Sequence, residues 1–596
     1  MIRKLRSAWV FALLVMVLGA RPAAADWTNP DGQSLQPTIK PERISVISDG
    51  RYGAYFVWTS GAGPNSDVYV QRLNASGAAP ATEGDPWLWG APMLVSDAPS
   101  SRQRNATAVF DCSKGIFVAW EDGAGAAFTG TDIILQHVNP NGERADDLPV
   151  VLALGEQVAP SLAASKNTGA PGGEDGLLVV WQDSRNIATD GYKIRGQRAS
   201  GAGPCDPIVT LQWGSTGSFA TPLCDQLTFQ YHPKVASDHL GGAVIVWEDV
   251  RDGFSDVYAS HLTSAGAWDS TWGGLASRCG INLTPGTLDS DQFRVVLASD
   301  GRGGAFVAWL DDRNGNSDVY AGRLNLNGTF SAEKLTAKVG RSVSLDIAPD
   351  GAKGALVTWQ YTDPSTGHDI YAQRLDPNGS PMWATGGVVV CAQNGGQTNP
   401  EIVSNAGQGA WITWMDTRSS PLGTSPDIYV NNVSRFGSPA TEWSLAGGHL
   451  MCAADEPQSR PGVGVTPDGS AIVAWEDLRP GSTGLYAEKV ATVASVAVFD
   501  EDPQDRIEIS RGAPNPFRSR VRLSIALTAE APVVLELYDM QGRRIRTLAR
   551  RTLGPGSHSF EWDGARDGGA PAAPGVYVLR ARVRDVEEHQ KLVRLR

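Results

Sequence analysis

The chain has 596 residues with 67 glycines and 37 prolines, a charged fraction of 19% and a formal net charge of −13. That length exceeds what one compact core holds, and the turn-rich, modestly charged composition excludes a disordered chain. Residues 1–25 carry +4 and residues 510–596 carry +7, leaving −24 on residues 26–509, a charge that repels phosphates and excludes a nucleic-acid partner.

Residues 1–25 read as a secretory signal peptide. Arg3, Lys4 and Arg6 form the charged start, Ala8 to Ala20 the apolar segment, and Ala23-Ala24-Ala25 a small-residue cleavage site before Asp26. The apolar run is too short to span a bilayer comfortably, and the rest of the chain offers no transmembrane segment. The expected location is secreted or on the outer cell surface, reached through the periplasm.

Residues 26–500 repeat one unit eight times. Its tryptophans are Trp58, Trp120, Trp181, Trp247, Trp309, Trp359, Trp414 and Trp475, at gaps of 62, 61, 66, 62, 50, 55 and 61 residues. A period of this length marks a propeller or solenoid. The clearest copy, Ala305 to Leu324, has an unalternating apolar run suited to a strand buried on both faces, then a Gly/Asn-rich turn, then a second strand. An aspartate follows the tryptophan by two residues in six copies and an arginine by four in five, as in Trp247-Asp249-Arg251, Trp309-Asp311-Arg313 and Trp475-Asp477-Arg479. With a weaker strand before and after each hairpin, every copy has four strands, which predicts an all-β, eight-bladed β-propeller. Its open edge needs one more strand, from the lead before Pro37 or from Val493 to Phe499.

Residues 501–509 form a charged linker, and residues 510–596 a separate small domain of six strands with turns between them, read as an Ig-like β-sandwich. Pro514-Asn515-Pro516-Phe517, Leu537-Tyr538-Asp539-Met540-Gln541-Gly542-Arg543, Trp562-Asp563-Gly564, Gly575-Val576-Tyr577 and Lys591-Leu592-Val593 stand in order here. These blocks resemble the Ig-like domain of flagellar hook-capping proteins and the C-terminal sorting domains of type IX secretion cargo. The resemblance implies passage across the outer membrane, with the secretion machinery as partner. The repeats are similar to TolB-like exported bacterial propellers, a resemblance that implies architecture alone.

Cys224, Cys391 and Cys452 each lie six residues before a junction glutamine, Gln230, Gln397 and Gln458, and are expected as small buried hydrophobes. Cys205 with Cys224 is the alternative local bridge, closing the long insertion of the third copy. Catalytic constellations are absent: there is no H-E-x-x-H, C-x-x-C, G-x-S-x-G or Walker loop, so no catalytic residue is assigned. The repeated Asp and Arg are expected to pair structurally. Asp312, Asn314, Asn316 and Asp318 alternate as a calcium loop would, but Arg313 intrudes and the glycine is misplaced, so no cofactor is expected beyond that candidate. Departures from the repeat single out Trp87, Trp89, Trp213 and Tyr231 as candidates for a ligand patch, with packing as the competing role. The favoured reading is a non-enzymatic exported propeller that binds a glycan or a protein. A carbohydrate-active hydrolase or lyase with channel carboxylates, and a structural surface-layer component, are the alternatives.

Overall fold

The computed structural model describes residues 27, 32–37, 41–60, 66–77, 91–96, 101–111, 114–123, 130–144, 148–151, 155–166, 174–185, 187–200, 210–211, 213, 221–224, 227–272, 279–286, 289–337, 340–363, 367–405, 409–420, 423–438, 447–452, 454, 456–479, 484–490, 507–509, 517, 520–527, 531–539, 543–553, 556–583 and 586–595. The chain forms two compact units, Met1–Ala494 and Ser495–Arg596. The expected signal, residues 1–25, lies outside the described residues.

The first unit is all-β, a succession of antiparallel sheets taken in chain order. Their first strands are Pro41–Ser48, Gln103–Phe110, Gln157–Lys166, Gln230–Ser237, Gln292–Ser299, Arg341–Pro349, Gln397–Ser404 and Gln458–Val465. The fifth sheet shows the pattern: Gln292–Ser299 pairs with Ala305–Asp311, then Asp318–Leu324, then Phe330–Lys334. Its second strand, AFVAWLD, is buried at every residue, because neighbouring sheets cover both faces and leave no polar side to alternate with. The insertion in the third sheet adds two short strands, Thr210–Leu211 and Thr221–Pro222, both paired with Lys193–Ser200.

The core is divided among the seams between consecutive sheets. Val246 and Trp272 of the fourth sheet pack with Val307 and Trp309 of the fifth, for example. The eighth sheet packs on the first, with Ile472, Ala474 and Leu485 against Phe56 and Trp58. Glycine makes that seam thin: a Cβ on Gly464 would stand 2.9 Å from Val46 Cγ1 and 3.0 Å from its carbonyl oxygen. The fourth strand of the eighth sheet is Gln33–Pro37, paired antiparallel with Gly484–Val490. The lead before the first repeat therefore fills the open edge, and Val493 to Phe499 lies outside the described residues.

In the second unit, Ile507–Ile509, Val521–Leu527 and Gly556–Trp562 make one sheet, and Ala531–Asp539, Arg544–Leu553, Gly575–Val583 and Val586–Arg594 the other. Alternate residues Val533, Leu535 and Leu537 enter a core with Phe517, Trp562 and Tyr577. The intervening Glu536 points to the other face, where Tyr538, Arg544, Arg550 and Arg580 all bond its carboxylate. Despite the burial that opposes ionisation, those donors hold Glu536 down at about 2.

Candidate functional site

The repeated charges join one another. At the end of six of the second strands the tryptophan Nε1 donates to the aspartate two residues on, from 2.9 Å in Trp309–Asp311 to 3.4 Å in Trp120–Asp122. The arginine then forks onto the same carboxylate: Arg185–Asp183, Arg251–Asp249, Arg313–Asp311 and Arg479–Asp477 close to 2.5–2.6 Å, and Arg418 also pairs with Asp416. Four of these guanidiniums lie over the tyrosine of the facing strand, as Arg251 over Tyr258 at 3.7 Å. In the third sheet Lys193 and Arg195 replace the Asp and Tyr of the facing strand, and Arg195 turns its charge towards Asp183 at 3.7 Å. The first sheet has no aspartate at this place, and Trp58 Nε1 has no hydrogen-bond partner among the described residues. At the other end of the sheets a second series pairs likewise: Asp49 with Arg72, Asp238 with His261, Asp300 with Arg323 and Asp350 with Arg374.

Two cysteine expectations need correction. Cys224 is disulfide-bonded to Cys279, so it is not a free buried thiol, and its partner is not Cys205, which lies outside the described residues. The physical reason is that Cys279 leads into the fourth strand of the fourth sheet, Ile281–Asn282, which lies against the end of the third sheet's insertion. Cys391 and Cys452 are free and buried, each with its sulfur against the Asp–Arg pair of the next sheet, Arg418 at 2.9 Å and Arg479 at 3.2 Å. Burial pushes the Cys391 thiol up to about 12, which makes it a packing group.

The candidate calcium loop is tied up internally. Lys334 reaches Asp318 at 2.6 Å, Thr336 donates to it at 2.7 Å, Asn314 donates to it at 3.0 Å, and Ser317 caps Asp312; Asn316 lies in the same turn. Among the described residues no group of three or more His, Cys, Asp or Glu is disposed to hold a metal. Of the aromatic candidates, Trp87 and Trp89 lie outside the described residues. Trp213 is a correction: it is buried in the seam between the third and fourth sheets, its Nε1 on the Ser264 carbonyl at 3.1 Å.

Tyr231 has company that sequence reasoning missed. Its ring lies 5.7 Å from Tyr192 and 6.2 Å from Phe229, the latter stacked at 6°. Phe229 is 40% exposed and Leu227 76% exposed, so the group presents apolar faces to solvent at the junction of the third and fourth sheets. Tyr231 is the second residue of the first strand of the fourth sheet, and Lys234 follows three residues on.

The first strands build the other part of the site. Each carries one extra residue near its start, and at that bulge seven sheets hold a non-glycine residue at positive φ: Arg43 at +48°, and Asn105, Ala159, His232, Arg294, Asn399 and Arg460 between +52 and +55°. The residue after the tryptophan supports the bulge of the next sheet: Glu121 accepts the Ala159 N–H and Glu248 the Arg294 N–H, each at 2.7 Å. Past the bulge, one position on each first strand lies opposite the residue preceding the tryptophan. It holds Ser45, Thr107 and Ser161 in the first three sheets, Val296 in the fifth and Gly462 in the eighth. The fourth, sixth and seventh break the pattern with Lys234, Asp346 and Glu401.

These three meet, together with Arg43. Asp346 and Glu401 share a side-chain hydrogen bond, and Lys234 and Arg43 act on them electrostatically from the fourth and first sheets. Lys234 thus acts on Asp346, and Arg43 on Glu401, between sheets that are not consecutive in the chain. Glu401 keeps surface open to solvent and yet is crowded by protein. Enclosure, then the Asp346 charge, push Glu401 well above the usual carboxylate range. Asp346 is also raised by enclosure, against N–H donation from Ile347 at 2.8 Å and Ile402 at 3.0 Å. Those donors favour the charged form, so the shared proton sits on Glu401. Enclosure lowers Arg43 and Lys234.

Residues 515–585 match the FlgD Ig-like domain family, and the first unit is a β-propeller by its repeated four-stranded sheets. Among solved structures, the chain is similar to an α-L-arabinofuranosidase of Fusarium graminearum with an iminosugar inhibitor, at 12% identity and TM-score 0.29 over 55% of this chain and 92% of that one. It is also similar to an α-L-arabinanase of Penicillium chrysogenum with arabinobiose, at 11% identity and TM-score 0.31 over 55% and 92%. A prolyl oligopeptidase B of Galerina marginata matches at 10% identity and TM-score 0.38 over 74% and 56%. Resemblances this remote leave the chemistry to be argued from the side chains.

Proposed function

We propose that the protein is an exported, glycan-binding β-propeller, its eight sheets the blades of one closed ring, delivered by the C-terminal Ig-like domain acting as a sorting signal. The observation that carries the binding reading is the exposed aromatic group Tyr192–Phe229–Tyr231. Flat apolar faces left open to water at the rim of a polar recess suit a sugar, which offers an apolar ring face to stack and hydroxyls to bond. Closure is supported by the pairing of Gln33–Pro37 with Gly484–Val490 and by the packing of the eighth sheet on the first. A glycan array probed with the full chain and with Phe229→Ala tests the binding reading: binding that the variant keeps in full would refute it. For the sorting role, removal of residues 510–596 should trap the propeller in the periplasm; undiminished export would count against it.

A second reading, a hydrolase or lyase with channel carboxylates, is favoured by Glu401, which keeps its proton above the usual carboxylate range. The geometry weighs against two-carboxylate glycoside hydrolysis. Such a pair stands about 5–5.5 Å or about 6.5–9.5 Å apart, whereas a hydrogen bond such as Asp346–Glu401 spans about 2.5–3.0 Å. New reducing ends or unsaturated products released from a bound glycan would establish the enzyme.

A further inference from the structure

The recess between the first strands has an imbalance that its own side chains do not resolve. Five of its eight equivalent positions hold serine, threonine, valine or glycine, so the charges of Lys234, Asp346 and Glu401 are additions to the repeat that the repeat does not need. The acids are satisfied. Asp346 accepts the N–H groups of Ile347 and Ile402, and Glu401 hydrogen-bonds Asp346. The bases are not: among the described residues neither Lys234 nor Arg43 has a hydrogen bond or ion pair, in contrast to Arg185, Arg251, Arg313 and Arg479 of the turns. Acids act on both cations only at a distance, Glu121 and Glu401 on Arg43, and Asp346, Glu248 and Glu401 on Lys234, and none of them lies in contact with either cation among the described residues.

We propose that this recess binds a carboxylate, carried by an acidic sugar residue, between Lys234 and Arg43. This rests on the glycan reading for the carrier alone; the unpartnered cations stand by themselves. A carboxylate supplies the two acceptor oxygens that an ammonium and a guanidinium lack here. Tyr231 lies three residues before Lys234 on the same strand, so a chain of sugars stacked on the aromatic group would run towards the recess. A neutral sugar would leave both cations as they are.

The recess also predicts how binding changes with pH. The charged and titratable groups around Glu401 are Asp346, Arg43 and Lys234, with Glu121 acting on Arg43, and Glu248 on Lys234 and, at the rim, His232. Raising the pH removes the Glu401 proton and places a second negative charge beside the bound carboxylate, so affinity falls. His232, paired with Glu248 at 2.9 Å, loses its charge over part of the same range, and the Gln variant at position 401 separates the two.

The experiment is calorimetric titration of the full chain with tri-galacturonic acid, with the neutral galactose trisaccharide and with free acetate, at pH 5 and pH 8. The acidic trisaccharide is expected to bind at least tenfold tighter than the neutral one. Lys234→Met and Arg43→Met should remove that preference while leaving the weak neutral binding and the melting temperature in place. Glu401→Gln should keep the preference and flatten its pH dependence. Equal affinity for the two trisaccharides, or a preference that survives Lys234→Met, overturns the proposal. Acetate that binds in a Lys234-dependent way while neither trisaccharide binds refutes the sugar carrier and the glycan reading, and supports the carboxylate site. Loss of both trisaccharides in Phe229→Ala with acetate binding intact supports both.

Discussion

The two ends of the second strand and the recess between the first strands use the same amino acids to opposite effect. In the turns, Asp183, Asp249, Asp311, Asp416 and Asp477 each meet a tryptophan N–H and an arginine of their own sheet. In the recess, Arg43, Lys234, Asp346 and Glu401 come from four different sheets, and among the described residues the two cations have no hydrogen bond or ion pair. Residues written into every copy serve what every copy needs, which is a turn held against its neighbour. Residues written once are free to serve something outside the chain.

Several substitutions would break or sharpen that contrast. The largest effect is expected from Asp311→Ala, which strands the fully buried Trp309 N–H and the Arg313 guanidinium. Loss of one partner of such a pair costs about 3–5 kcal/mol, read by denaturant unfolding, with glycan affinity of the folded protein unchanged; the opposite pattern would place function in the turns. Replacing Cys224 and Cys279 together by serine removes a cross-link closing 55 residues and should cost about 2–4 kcal/mol, again without a change in affinity. Phe229→Ala should leave the melting temperature nearly unmoved and weaken glycan binding about tenfold, a difference of about 1.4 kcal/mol. Glu401→Gln should have the smallest effect on folding, and of the opposite sign. Because the folded value of Glu401 is raised, the acid is harmless to stability below its unfolded value and destabilising as pH rises towards the folded one. The glutamine variant should therefore melt slightly higher than the parent at pH 7 and no differently at pH 4. In the second unit Glu536 has the reverse linkage: its contribution is full above the ordinary carboxylate value and lost as pH falls through about 2, so Glu536→Gln should narrow the acid range of stability.

Much of this was legible in the letters. The tryptophan period, the Asp and Arg that follow it, and the unalternating apolar strands are local features, and each copy repeats them. The recess was not, because its residues are single occurrences separated by 55 positions or more: Asp346 and Glu401 share no motif. They do share an offset. Each stands four residues after the residue that pairs two places beyond the tryptophan, Ser342 or Gln397, as Lys234 stands four after Gln230. The bulge hides this by shifting the register by one residue and turning expected outward positions inward. For Trp213 the competing reading, packing, is the one the core shows, and the letters alone do not distinguish a buried ring from an exposed one. Cys279 was passed over because disulfide partners are set by the stacking of sheets, which spacing along the chain does not reveal.

The strand Gln33–Pro37 is made near the beginning and finds its partner, Gly484–Val490, only near the end of the first unit. Contacts so distant along the chain form slowly, since the whole intervening length must be gathered first. A ribosome working at roughly 5–20 residues per second would hold that opening segment without its mate for tens of seconds. Throughout that interval the edge pairing of the two segments waits for the eighth sheet to emerge.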